Sequence, residues 1–252
     1  ARQLRSLGLE HGDSAVVWLP NGLLWIALLL ACARIGVTLV TAGPRLRLND
    51  LPHMLQQSAA RALFYQPEFL GVDYDSMARE IVAARASGGL PRLDHVLRCA
   101  GGLGPDGTQP LDTVPPTGEM PPSPPPDAAA VVCFTSGSTG TPRGCVHDHG
   151  TLVRNAQIAA ELTGFAPGER LLSAMPFAHV FGFHMSILQP LLAGATLVEA
   201  EPFDAGDMLD LIERHKATVV YGVPAMGVEL VAEQQERARD LRSLRAAAGE
   251  AL

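Results

Sequence analysis

The chain has 252 residues, and 19 basic against 26 acidic side chains give a formal net charge of −7. Hydrophobic residues make up 47% and charged residues 18%, the balance of a folded chain with a sizeable core and room for one large or two small domains. The acidic balance excludes broad nucleic-acid binding, which needs a positive surface to displace phosphate counterions.

In chain order, the apolar run 15–19, closed by Pro20 and Asn21, predicts a strand, and residues 22–35 predict a buried helix. The stretch from Leu23 to Val40 is apolar, but Arg34 and Gly36 interrupt it well short of a bilayer-spanning length. Residues 37–41 predict a second strand, 49–58 an amphipathic helix with Asn49 as its N-cap, and 62–65 a third strand. A helix over 74–85 and a strand over 95–99 continue the alternation. From 101 to 126 Gly, Pro, Thr and Asp dominate, with prolines at 124–126, a composition that sustains neither a ladder nor a helix. Strands then follow at 129–134, 170–174, 196–199 and 218–221, with helices at 150–162, 182–192, 204–215 and after Pro224. This pattern predicts an α/β fold of two subdomains, residues 1–112 and 128–252, with mostly parallel sheets covered by helices and a Pro-rich linker at 113–127. There is no internal repeat.

The residues with chemistry cluster at Thr135-Ser136-Gly137-Ser138-Thr139-Gly140-Thr141-Pro142-Arg143-Gly144, directly after the strand-forming run 131–134. Glycines free a backbone to approach a ligand and aim several N–H groups at one place, and hydroxyls and Arg143 surround them. Strand, hydroxyl-rich loop and cation together predict a phosphate cradle. The P-loop pattern G-x-x-x-x-G-K-[ST] is not met, because Lys216 is the only lysine, and this excludes a phosphohydrolase of that type. The four cysteines (Cys32, Cys99, Cys133, Cys145) form no C-x-x-C pair, which points to free thiols in a reducing cytoplasm. Cys145 is expected to be a small buried residue and not a nucleophile. His147-Asp148-His149 lacks the further ligands of a metal site and is read as local capping at a helix start. Asp207, Asp210, Glu213 and Arg214 read as a solvated helix face.

The loop resembles the signature of the AMP-forming adenylate-forming enzymes, which include acyl- and aryl-CoA synthetases, luciferases and peptide-synthetase adenylation domains. Other segments resemble the family in the same order: Leu7-Gly8 to Gly12-Asp13 with Leu19-Pro20-Asn21, Met175-Pro176-Phe177-Ala178-His179-Val180-Phe181-Gly182, Tyr221-Gly222-Val223-Pro224, and Ala248-Gly249-Glu250-Ala251-Leu252. The resemblance implies the large N-terminal domain of an acyl-CoA synthetase-like fold, present in part. It implies an ATP-dependent acid–CoA ligase using ATP, Mg²⁺ and CoA, with a carboxylic acid as substrate. The family's ribose- and Mg²⁺-binding blocks and its catalytic lysine are expected beyond Leu252, in the remaining C-terminal part of the parent chain. The segment alone is therefore expected to be inactive. The alternative is a non-catalytic nucleotide-binding fragment or split subunit of the same fold.

Carried over residue by residue, the resemblance assigns phosphate contacts to Thr135, Ser136, Gly137, Ser138, Thr139, Gly140 and Arg143, with Arg143 standing where the family usually has Lys. It adds Gly249 and Glu250 to the nucleotide site. His179 is the candidate catalytic residue at the mouth of the acyl pocket, with Phe181, Phe183, Tyr221 and Ala248 as further substrate-binding candidates. A core histidine is the plain alternative for His179. Amino-acid-activating relatives carry an Asp where this chain has Gly182, so the resemblance implies an aryl or alkyl carboxylate.

Overall fold

The computed structural model describes residues 1–100, 104–135 and 142–248. It divides into two compact units, 1–151 and 152–252. The boundary therefore lies after Thr151, not at the Pro-rich stretch. That stretch belongs to the first unit, pinned to it by hydrogen bonds from Gln3 to the Val114 carbonyl (3.0 Å) and from Arg34 to the Pro121 carbonyl (2.9 Å). Proline removes ladder donors, but it leaves carbonyls that side chains can hold in place.

In the first unit the elements run α1 (Arg2–Ser6), β1 (Ser14–Trp18), α2 (Leu23–Ile35), β2 (Thr38–Ala42), α3 (Leu51–Gln57), β3 (Ala62–Tyr65), the short ribbon β4 (Glu68–Phe69) and β5 (Val72–Asp73), α4 (Tyr74–Ala86), β6 (His95–Arg98), β7 (Gln109–Pro110), β8 (Ala129–Thr135), β9 (Arg143–Asp148) and the start of α5 (His149–Leu162). The large sheet has the order β7-β6-β3-β1-β2-β8-β9, parallel throughout except for the last pair. β1, β2 and β3 are almost wholly buried, which is why they read as continuous apolar runs without alternation. Trp18 packs edge-on against Tyr74 with ring centroids 4.6 Å apart, at the centre of a core that includes Val40, Met54, Leu63 and Ile81.

α2 buries Trp25, Leu28, Leu29, Cys32 and Ile35 and stops at Gly36, whose φ of 75° is the left-handed C-cap. Among the described residues, no helix is long and apolar enough to cross a membrane. Asn49 is not the cap of α3: Asp50 holds that position and its side chain makes no capping bond. β9 was not expected from sequence, where its residues read as the end of a loop.

The second unit continues with β10 (Arg170–Ser173), a π-helical turn (Gly182–Leu188), α6 (Gln189–Ala193), β11 (Thr196–Glu199), α7 (Ala205–His215), β12 (Val219–Tyr221), α8 (Pro224–Glu236) and β13 (Ala246–Ala248). Its sheet has the order β11-β10-β12-β13 and is entirely parallel. Strand alternation splits its core: Leu171, Val219 and Tyr221 pack with Phe165 on one face, and Leu172 and Val220 pack with Met208, Leu209 and Ile212 on the other. The single helix expected over 182–192 is two elements. Pro190 lacks an N–H, so the ladder breaks and α6 restarts with the proline in its first turn.

The acidic face of α7 is more than a solvated surface. Asp210 binds both Arg237 and Arg239, and Arg239, with only 3% of its side chain exposed, also binds Glu233 at 2.8 Å. These bonds tie α7 to α8 and to the chain leading into β13.

Across β3, α4 and β6 of the first unit, Asp75 accepts from the Tyr65 hydroxyl at 2.9 Å and from Arg98 Nη2 at 3.0 Å. Burial alone would raise the Asp75 carboxyl, but Arg98 and Tyr65 outweigh it and hold it below its ordinary value of 3.8. A depressed folded value stabilises the fold above the ordinary carboxylate pKa, and this stability is lost as pH falls through the folded value. Asp75→Asn is expected to cost about 1–3 kcal/mol near neutrality. The difference from the unsubstituted chain should shrink as denaturant unfolding is repeated from about pH 7 down to about pH 3. An equal difference at both ends would refute the role given to this carboxylate.

Candidate active site

Thr135 ends β8, and Arg143 opens β9 directly opposite it in the ladder. Both are exposed, and among the described residues no carboxylate is paired with Arg143. Among the described residues, no carboxylate therefore competes with an anion for its charge. Ser136, Gly137, Ser138, Thr139 and Gly140 lie outside the described residues, as do Gly249 and Glu250. The phosphate-type segment therefore follows the carboxyl end of a parallel strand, where open α/β sheets place their ligands. Just beyond it, Asp148 caps α5, accepting from the Thr151 amide at 2.6 Å and the Thr151 hydroxyl at 2.8 Å. The His-Asp-His segment does cap locally, and its aspartate does the capping. Cys145 corrects its expectation: it is exposed, on a strand that is the end strand of its sheet among the described residues.

The second unit holds a recess of about 310 Å³ lined by Met175, Pro176, His179, Phe181 and Val223. Its position follows from the strand order. β10 connects to β11 on one side, and the chain then crosses to β12 on the other. The recess lies outside the carboxyl ends of β10 and β12, where the connections diverge and leave a crevice.

Buried polar contacts hold the backbone that leads into it. Ser173 at the end of β10 accepts from the Met175 amide at 3.2 Å and bonds Ser186 of the π-helical turn at 2.8 Å. A tight turn follows, with the His179 amide donating to the Pro176 carbonyl at 3.0 Å and the Phe183 amide to the His179 carbonyl at 3.1 Å. Gly182 presses directly on the Pro176 carbonyl, and a Cβ there would penetrate that backbone group. The turn therefore requires glycine.

His179 is exposed at the recess wall, which removes the core-histidine alternative. Its Nδ1 accepts from the Phe181 amide at 3.3 Å, which leaves the proton of the neutral ring on Nε2. Phe181 lines the recess and leans on Tyr221, with ring centroids 6.1 Å apart.

Phe183 and Tyr221 do not line the recess. Both are fully buried, and the Tyr221 hydroxyl donates to Gln189 Oε1 at 2.9 Å while Gln189 donates to Thr163 at 2.7 Å. Burial raises the Tyr221 phenol and keeps it a neutral donor. They support the wall from behind. Ala248 ends β13, paired with Tyr221 in the parallel register. Met175, Pro176 and Val223 are recess residues that sequence reasoning did not single out. All three stood in quoted motifs, but nothing in their own chemistry marked them.

The whole of residues 1–252 matches the family described as AMP-binding enzyme. Feruloyl-CoA synthases of an Amycolatopsis and a Streptomyces species are each 34% identical over 97% of this chain and 45% of their own length. A human mitochondrial medium-chain acyl-CoA ligase is 28% identical over 97% of this chain and 43% of its own. The crystal structure of an anthranilate CoA ligase in complex with anthranoyl-AMP superposes with a TM-score of 0.84 at 22% identity, covering 100% of this chain and 48% of that one. The chain thus spans about half the length of the relatives it matches.

Gly182→Ala is expected to lower stability by about 1–3 kcal/mol or more, since backbone and not a flexible side chain must move. Thermal unfolding of the purified chain reads this directly. An unchanged midpoint would show that the turn does not depend on the close approach.

Proposed function

The chain belongs to the AMP-binding enzyme family, and on that premise we propose that it is part of an ATP-dependent acid–CoA ligase acting on an aryl or alkyl carboxylate. A substrate carboxylate oxygen attacks the α-phosphorus of ATP and the bond to pyrophosphate breaks. The CoA thiol then gives up its proton and attacks the acyl carbon of the acyl-adenylate, whose bond to the phosphate oxygen breaks to release AMP. Positioning and charge neutralisation dominate such chemistry. The observation that carries the reading is the recess at the carboxyl ends of β10 and β12, an apolar wall with one exposed histidine.

In this reading the segment from Thr135 to Gly140 cradles the β- and γ-phosphates, and Arg143 supplies the positive charge. Arg keeps the cation of the usual lysine and adds a planar fork. His179 stands at the mouth of the acid site, with Met175, Phe181 and Val223 receiving the apolar body of the acid. Mg²⁺ accompanies ATP in this chemistry and offsets phosphate charge. Among the described residues no group of three His, Cys, Asp or Glu converges to hold a metal, so they offer Mg²⁺ no side-chain site of their own.

The test is acid-dependent pyrophosphate release from ATP by the full-length protein, with hydroxycinnamate-like, benzoate-like and medium-chain acids. Absence of release with every acid would overturn the proposal. The 252-residue chain alone is expected to release none, because the reading places further ATP ligands elsewhere in the parent.

Arg143→Ala should raise KM for ATP by about ten- to a hundredfold, the equivalent of losing one charge-assisted contact, and leave KM for the acid nearly unchanged. The opposite pattern would detach Arg143 from the nucleotide. His179→Ala should shift the ratio of kcat/KM between benzoate-like and medium-chain acids by about 1–3 kcal/mol, with smaller effects on ATP. An unchanged ratio, measured where both proteins stay folded, would remove His179 from the acid site.

A further inference from the structure

Cys133 on β8 and Cys145 on β9 stand directly opposite one another in the antiparallel ladder. They share one face of it. Gly144 belongs to the other face, where a Cβ would touch Val132 and Phe134, so alternation returns Cys145 to the side of Cys133. Directly opposed residues have Cβ atoms about 4.5–5.5 Å apart, and a disulfide needs about 3.5–4.5 Å. Closing the pair therefore asks for roughly 1 Å of approach. β9 can yield that much, because among the described residues it is the end strand and is hydrogen-bonded on one side only.

The two thiols differ in a way that suits stepwise oxidation. Cys145 is exposed and meets a solvent oxidant first, whereas Cys133 is buried. Burial pushes the Cys133 thiol up to about 11, with the neighbouring Cys145 sulfur adding to the shift. Cys32 and Cys99 are likewise pushed up to about 12 by burial, and among the described residues neither faces another cysteine across a ladder. Between the opposed pair, the sequence from Thr135 to Arg143 carries the phosphate-type motif.

We propose that Cys133 and Cys145 are a reversible dithiol–disulfide pair that clamps the strands flanking this motif and makes its use of nucleotide redox-sensitive. A hydroperoxide is the oxidant. The Cys145 thiolate attacks the peroxide, the O–O bond breaks, and Cys145 becomes a sulfenic acid with release of hydroxide. Cys133 sulfur then attacks the sulfenic sulfur, the S–O bond breaks, and the departing hydroxide takes the Cys133 proton as water. Overall two thiols and one hydrogen peroxide give one disulfide and two waters, and an external dithiol reverses the step. The effect on nucleotide rests on the phosphate-binding role proposed above, whereas the crosslink does not.

The experiment treats the chain with hydrogen peroxide, blocks remaining thiols by alkylation, digests with trypsin and reads the peptides by mass spectrometry. The expected product joins the peptide carrying Cys133 to the peptide carrying Cys145, with the loss of two hydrogens, and dithiothreitol abolishes it. It should persist in Cys99→Ser and vanish in Cys145→Ser, an exposed substitution that spares the core. Only sulfinic acid at Cys145, only intermolecular dimers, or a product that survives in Cys145→Ser would overturn the pairing. In the full-length protein, peroxide should change KM for ATP reversibly in the parent and not in Cys145→Ser. A crosslink with no change in that constant would overturn the redox control and leave the adenylation reading untouched.

Discussion

The second unit depends on one contact without side chains, the approach of Gly182 to the Pro176 carbonyl. Only a residue with no Cβ lets the π-helical turn close on the turn that follows β10. That closure places Pro176, His179 and Phe181 on one wall within a few residues of chain. A wider turn is suited to this place, since π-helical segments occur where regular geometry has been given up for a site. The glycine sets backbone positions, and the chemistry of the wall follows from them.

Buried polar bonds then keep the wall from relaxing. Ser173 joins the end of β10 to Ser186 of the π-helical turn, and Gln189 joins Tyr221 of β12 to Thr163 beyond α5. Each link connects a strand end to a helical segment. A buried donor left without its partner costs about 1–3 kcal/mol, so the interior penalises any slip between these elements. Tyr221 therefore serves the recess through Phe181, which leans on its ring and presents an apolar face outward.

Much of this organisation was legible from residue order. The buried strands announced themselves as unbroken apolar runs, whereas Asp73 and Asp204, the aspartates that cap α4 and α7, were not singled out. β9 was hidden because Gly144 and Cys145 carry little strand signal, and a strand paired on one side buries little apolar surface. The Pro-rich stretch suggested a domain boundary on composition, yet side chains of α1 and α2 hold its carbonyls within the first unit. Within the site, aromatic character made Phe183 and Tyr221 look like pocket walls. Sequence cannot distinguish an aromatic facing a cavity from one behind it, and here packing places both inside. His179 was separable from a core histidine only by its exposure.

The same glycine bears on which acids the proposed site admits. An amino-acid substrate brings an ammonium group, and taking it out of water without a carboxylate partner costs several kcal/mol, at least about 3–5. Among the described residues, the recess wall of Met175, Pro176, His179, Phe181 and Val223 contains no carboxylate. The resemblance matches Gly182 to the position at which amino-acid-activating members of the family carry an aspartate, and here Gly182 has no room even for a Cβ. Supplying the missing charge would thus require dismantling the turn that forms the wall. If the recess is the acid site proposed above, backbone packing and the absence of a carboxylate among its described wall residues both favour an acid whose remaining body is apolar.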